Sequence, residues 1–262
     1  MVGPLAILLA ILAAAFLILP QLIVVPVGFS TSPSLQFPPP GYSMELMRRL
    51  FDDPGWAQAF YNSLVIGIGA SILGTCLALA AGLWLYRHRK MGRRNFEALF
   101  FLPVFVPTIV SAVAYYFVFG QLGLNGSRVG LIIAHASLGL PIGLLALKPT
   151  ILRLDPTLDK AAESCGASSF QIFRWVTLPA LRPGILVAGL FGFLHSFDET
   201  VVAVFIAGRD AETLPKKMFE SIRLETDPII ATVSSLLFGG VLAACLLYAA
   251  LAGRRMQIST SP

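Results

Sequence analysis

The stretch KAAESCGASSFQIFRWVTLP, Lys160 to Pro179, interrupts a chain otherwise built from long apolar runs. It carries charges, a central glycine and a terminal proline. Just upstream, Asp155-Pro156 has the chemistry of a helix start: a carboxylate acceptor at the N-cap, then a proline at the first helical position, where no N–H is needed. Leu158, Ala161, Ala162 and Cys165 follow at i, i+3, i+4 and i+7, a narrow stripe of mostly small apolar residues. Gly166 stands where a helix C-cap takes a left-handed conformation. Ser168 and Gln171 form a Ser-x-x-Gln capping box, opening a second short helix that carries Phe170, Phe173 and Trp175. Leu178-Pro179 is expected to end it. The spacing therefore predicts a helix-turn-helix elbow over 155–179. Such an elbow can lie on a membrane surface or enter a groove on another protein, and spacing alone leaves both open.

Around the elbow the composition is that of a membrane protein. Of 262 residues, 56% are hydrophobic and 13% charged, about half the charge of a typical soluble domain. Six stretches reach the roughly 20 apolar residues that a spanning helix needs: about 5–29, 59–86, 98–120, 129–147, 183–208 and 229–252. The first is longer than the apolar core of a signal peptide and has no Lys or Arg before it, so it reads as a retained span. The fourth is interrupted by His135 and Pro141, as broken helices in bundles can be. The fold expected is an all-α membrane protein of six transmembrane helices in a single domain over 1–262, with the elbow between spans 4 and 5. In span 2, Ala70, Gly74, Ala78 and Gly82 recur every four residues, a face that permits close helix approach within the chain or against another subunit.

Charge sets the expected orientation. The span 2–3 loop, the span 4–5 elbow and the tail hold twelve basic residues against four acidic ones; the opposite loops hold seven against eight. The basic side is read as cytoplasmic, with both termini inside. The net charge of +5 thus reads as a topology signal, not a nucleic-acid surface. Cys76, Cys165 and Cys245 have no paired spacing and no histidine neighbour, so neither a disulfide framework nor a metal site is suggested; they read as packing residues.

Asp198 and Glu199 fall inside the fifth span, about 22 Å from its inner end at 1.5 Å per residue. A carboxylate there costs about 2.5–3.5 kcal/mol on insertion scales and marks a functional site by default. The pair is read as binding a cationic substrate on its way through, or as an ion pair with another subunit, or as protonated in place. His195 shares their helical face at i+3 and i+4, in a supporting, packing or substrate role. Tyr115 and Tyr116 in span 3 offer cation–π surface, or serve as packing or an aromatic belt. The chain contains no G-x-x-x-x-G-K-[ST] and no Gly-Lys dipeptide, and it shows no nucleophile–base pair. It is not expected to be an enzyme, and any ATP hydrolysis belongs to another polypeptide.

Ala161-Ala162, Gly166 and Val176-x-Leu178-Pro179 resemble the EAA loop of permease subunits in binding-protein-dependent (type I) ABC importers. Asn62–Arg89, Phe101–Gly120 and Ser196–Arg223 are similar to further segments of that family, the last to the spermidine/putrescine permeases in particular. The resemblance implies that Asp159, Lys160, Ala161, Ala162, Glu163, Gly166, Phe170, Leu178 and Pro179 form a cytoplasmic coupling loop. Lys160 departs from the family pattern, occupying the place of its glutamate, so the docking contact is expected at Asp159 or Glu163, or from Lys160 to an acid on the partner. The resemblance further implies a bacterial inner-membrane subunit that binds no cofactor itself. Its partners would be a second permease, two ATP-binding subunits that hold ATP and Mg, and a periplasmic solute-binding protein. The substrate implied is a polyamine or other small organic cation, although related permeases carry other solutes. Two other classes remain: a secondary cation transporter or channel using Asp198 and Glu199, and a purely structural membrane subunit.

Overall fold

The computed structural model describes residues 4–87, 93–224 and 227–258. Arg89 and Lys90, two of the basic residues in the span 2–3 loop, lie outside the described residues. The described chain is helical, its single extended contact being an isolated bridge between Ser30 and Tyr42. The order is α1 (Pro4–Val27), α2 (Glu45–Asp52), α3 (Pro54–Arg87), α4 (Arg93–Phe105), α5 (Thr108–Gln121), α6 (Arg128–Leu152), α7 (Pro156–Ser164), α8 (Ser169–Ile172), α9 (Leu178–Asp198), α10 (Val201–Ile206), α11 (Leu214–Leu224) and α12 (Ile229–Ile258). Among the described residues five helices are long and apolar enough to cross a membrane, and six by length and composition when the bent pair α4 and α5 is counted as one span. The chain divides into two compact units, residues 58–217 and residues 1–57 with 218–262.

Two of the six spans differ from their sequence reading. The third, expected as one run over 98–120, is bent by 101° between α4 and α5. Pro107 lacks an N–H and disfavours helical backbone at Val106, so the helix stops and restarts there. The fifth, expected over 183–208, ends at Asp198; Glu199 is extended (φ −73°, ψ 106°) and α10 begins at Val201. The carboxylate pair therefore sits at a helix break and not inside an unbroken span. The fourth span is continuous despite its polar and proline residues: α6 runs 25 residues through Pro141 and Pro149. More than half of its most apolar stretch is buried, more than for any other span among the described residues.

In the unit of residues 58–217, α6 packs against α3, α4, α9 and α10. Lipid is as apolar as leucine, so close backbone approach and polar cross-links must hold such helices together. The small face of α3 supplies the approach. Ala70 and Ala78 are buried, and a Cβ on Gly74 would lie 3.2 Å from the Ala136 carbonyl oxygen of α6. That face is occupied within the chain. The cross-links include Asn62 on α3, fully buried, which donates to the carbonyls of Asp210 and Glu212 at 3.1 and 2.8 Å. Ser71 donates to the Gly189 carbonyl of α9 at 2.6 Å.

In the other unit, α1 and α12 meet at Gly28, whose backbone carbonyl accepts from Thr232 Oγ1 at 2.7 Å. A Cβ on Gly28 would lie 2.5 Å from Ser235 Oγ, so only glycine permits this approach. The amphipathic α2 turns its buried Leu46 and Leu50 toward α12, and Arg49 reaches Asp227 at 3.9 Å. Cys76, Cys165 and Cys245 are free and exposed, so the reading of them as packing residues does not hold.

Candidate coupling elbow and substrate carboxylates

The elbow forms residue by residue as its caps dictate. Asp155 Oδ1 accepts the Thr157 N–H at 2.9 Å, and Pro156 opens α7. Bonds to its own carboxylate from the Thr157 backbone and then the Thr157 side chain hold the Asp155 carboxyl below its ordinary 3.8. At the other end Gly166 takes φ +85°. Its N–H reaches the Glu163 carbonyl at 2.9 Å, and the Ala167 N–H reaches Ala162 at 3.0 Å, the paired bonds that close a helix through a left-handed residue. Ser168 and Gln171 make the full reciprocal capping box.

Leu178-Pro179 does not end the second limb. From Phe173 to Thr177 the backbone widens into a π-helical turn, with the Leu178 N–H bonded to the Phe173 carbonyl five residues back, and the chain continues directly into α9. Pro179 has no N–H to give, so the looser turn and the start of α9 absorb the missing bond. The elbow's second limb and the fifth span form one 30-residue run, Ser169–Asp198.

Burial separates two faces of the elbow. Ile172 and Thr177 are buried and anchor the second limb, whereas α7 buries nothing. Leu158, Phe170 and Trp175 are 55%, 72% and 73% exposed, an apolar surface presented outward. Ala161, Lys160 and Glu163 are exposed, Ala162 and Asp159 half-buried. Among the described residues, Asp159, Lys160 and Glu163 form no ion pair.

At the far end of the same run the predicted substrate residues do not form one cluster. Glu199 Oε1 accepts the Val202 N–H at 3.1 Å and so caps α10. Asp198 is exposed, and its carboxylate has no hydrogen-bond or ion-pair partner among the described residues. His195 is not bonded to either; its ring packs toward Gly139 on α6, 3.4 Å from where a Cβ would stand. The adjacent Ser196 reaches the buried His135 Nδ1 at 2.8 Å, so the residue that interrupts the apolar run of the fourth span is an α6–α9 contact. Tyr115 is tied to Ser137 through its hydroxyl and packs 5.3 Å from Phe119, while Tyr116 is half-exposed on α5. Sequence reasoning missed the aromatic set beside Asp198. Phe197 lies 5.6 Å from Phe193 and 6.4 Å from Phe60 of α3. The F-x-x-x-F spacing immediately before Asp198 was the available signal.

The family model for the binding-protein-dependent transport system inner membrane component matches residues 70–255. The chain is 27% identical over 197 residues to the spermidine/putrescine transport system permease protein PotC of Haemophilus influenzae, covering 75% of this chain and 77% of that one. It is 28% identical over 246 residues to the putrescine transport system permease protein PotI of Escherichia coli, covering 91% and 87%. Its fold matches a bacterial ABC transporter involved in the import of the acidic polysaccharide alginate, with a TM-score of 0.72, 16% identity and coverage of 95% and 94%. The chain belongs to the binding-protein-dependent transport system inner membrane components: it is a multi-pass permease subunit of a type I ABC importer, not a catalytic enzyme.

Proposed function

We propose that this permease subunit carries a polyamine or another small organic cation, driven by ATP hydrolysis in a separate subunit that docks on the elbow. The observation that carries this reading is the continuous run Ser169–Asp198, with the exposed elbow at one end and, at the other, a carboxylate that has no partner among the described residues. A helix transmits displacement along its axis, so motor contact and substrate contact share one continuous element. Asp198 supplies a charge for an ammonium group, and Phe197, Phe193 and Phe60 supply apolar and π surface for the methylenes between ammonium groups. The two relatives named for polyamines support the same substrate class.

In this reading the elbow and both termini face the cytoplasm, and two ATP-binding subunits hold ATP and Mg. A second permease completes the pathway, and a periplasmic binding protein delivers the solute. ATP binding closes the ATPase dimer, draws the elbows together and opens the bundle outward; hydrolysis resets it. Leu158, Phe170 and Trp175 enter the ATPase groove as an apolar key. With Lys160 in place of a glutamate, Asp159 and Glu163 make the polar docking contacts. The test is co-purification of the ATPase with wild-type chain and with a Phe170→Asp, Trp175→Asp variant. Retention by the first and loss by the second is the expected outcome. Equal retention by both takes the elbow out of the docking surface.

A further inference from the structure

The elbow joins the bundle through the last turn of α6, and two directional polar contacts hold that stem. Lys148 Nζ on α6 meets Glu97 Oε1 on α4 at 2.6 Å, with Glu97 only 27% exposed. Tyr86 Oη on α3 donates to the Leu154 carbonyl at 3.0 Å, one residue before the Asp155 cap of α7. A cavity lies at the same place, with Gly82, Tyr86, Glu97, Lys148 and Ile151 in its lining. On its other side the stem is locked to α9, because a Cβ on Gly184 would stand 2.6 Å from Thr150 Oγ1. The two stems of the elbow are thus closely packed on each other, and the polar ties of the α6 stem to α3 and α4 run beside a small cavity.

We propose that Tyr86 and the Lys148–Glu97 pair are positioning residues for transport, straps that convert displacement of the elbow into movement of α3 and α4. This deepens the reading of the elbow as the ATPase contact and rests on it. Apolar contacts slide with little change in energy, whereas hydrogen bonds weaken steeply with angle and so fix one relative position. Glu97 is partly shielded from water, which makes its pair more effective than an exposed one. From α4 the displacement passes across the bend to α5. There Ala112 and Phe119 share a core with Val202, Ala203 and Ile206 of α10, the helix that starts beside Asp198 and Glu199. The straps place the elbow and the carboxylates on one connected set of helices.

The experiment uses the complete importer in proteoliposomes and two reporters. In a Cys76→Ala, Cys245→Ala background, Cys165 is the single thiol of this chain and its crosslinking to the ATPase reports docking. With Cys165 also replaced, a cysteine introduced by Thr200→Cys reports movement near the carboxylates as the ATP-dependent change in its maleimide labelling rate. Tyr86→Phe and Glu97→Gln are expected to keep the crosslink and to hydrolyse ATP at the wild-type rate. Their ATP-dependent change at position 200 is expected to fall roughly five-fold or more. The exchanged pair Glu97→Lys with Lys148→Glu is expected to restore it. A wild-type response in both single variants overturns the inference and leaves the elbow reading standing. Failure of the exchanged pair removes Lys148–Glu97 from it. Absence of the Cys165 crosslink with the straps intact overturns the elbow reading, and the inference with it. Tyr86→Phe deletes one oxygen, so its melting temperature serves as the folding control.

Discussion

Glu199 caps the helix that starts two residues beyond it, its Oε1 accepting the Val202 N–H at 3.1 Å, while the Asp198 carboxylate beside it has no such partner among the described residues. The two acids therefore differ in what they can offer a cation. Asp198→Asn is expected to reduce spermidine uptake about ten-fold or more, the loss of one charge-assisted contact of about 1.5–3 kcal/mol. ATP hydrolysis by the assembled complex should stay unchanged. Glu199→Gln keeps an acceptor for Val202 and should lose less. Uptake of labelled spermidine into proteoliposomes measures both, and an unaffected Asp198→Asn variant takes Asp198 out of the path.

Gly166 turns the elbow at φ +85°, and a Cβ placed on it would meet no atom within 4 Å, so its requirement is conformational and not steric. Gly166→Ala should cost about 1–2 kcal/mol in the left-handed region and retain partial coupling. Gly166→Pro fixes φ near −65° and cannot make the turn. The expected outcome is ATP hydrolysis that no longer drives uptake, measured as solute moved per ATP consumed; normal coupling in that variant contradicts the role of the turn.

Gly184 is the opposite case. A Cβ there would lie 2.6 Å from Thr150 Oγ1 and 2.9 Å from its Cβ. Gly184→Ala is expected to destabilise the subunit by about 1–3 kcal/mol through overpacking, read as a lowered melting temperature in detergent. Adding Thr150→Ala should recover part of the loss. No change in melting would mean that α6 and α9 separate at this point without penalty.

Asp155 stabilises α7 as an ionised cap, its carboxyl held below 3.8 by hydrogen bonds from Thr157. A depressed carboxylate contributes fully above the unfolded value and loses its contribution as pH falls through the folded one. Hydrogen exchange across 156–164 should therefore be faster in Asp155→Ala than in wild type at neutral pH, and intermediate in Asp155→Asn, which keeps an acceptor but not the charge. Wild type should approach the asparagine variant only below pH 3.8. Equal exchange in all three at neutral pH would show that the cap contributes nothing to α7.

The caps of the elbow were legible to the residue because their signals are local: Asp155, Gly166, Ser168 and Gln171 satisfy backbone groups within five positions of themselves. Hydropathy located the spans but passed over their interruptions, since an apolar window averages across a break. Pro107 carried a local signal for the bend between α4 and α5. The break at Glu199 carried none of that kind, having no proline or glycine. It depends on the Glu199 cap and on burial of Val202, Ala203 and Ile206 against α5 and α6. His135 looked like a flaw in an apolar run because its partner, Ser196, is 61 residues away. Leu178-Pro179 looked like a terminus because the π-helical turn that accommodates the proline leaves no sequence mark of its own.

ATP-driven transport of an organic cation is tested most directly by spermidine uptake into proteoliposomes holding this chain, its second permease, the ATPase and the binding protein. Uptake that requires ATP, the ATPase and the binding protein, and that a potassium diffusion potential alone does not drive, is the predicted result. Potential-driven spermidine flux through the permease with the ATPase left out would contradict it.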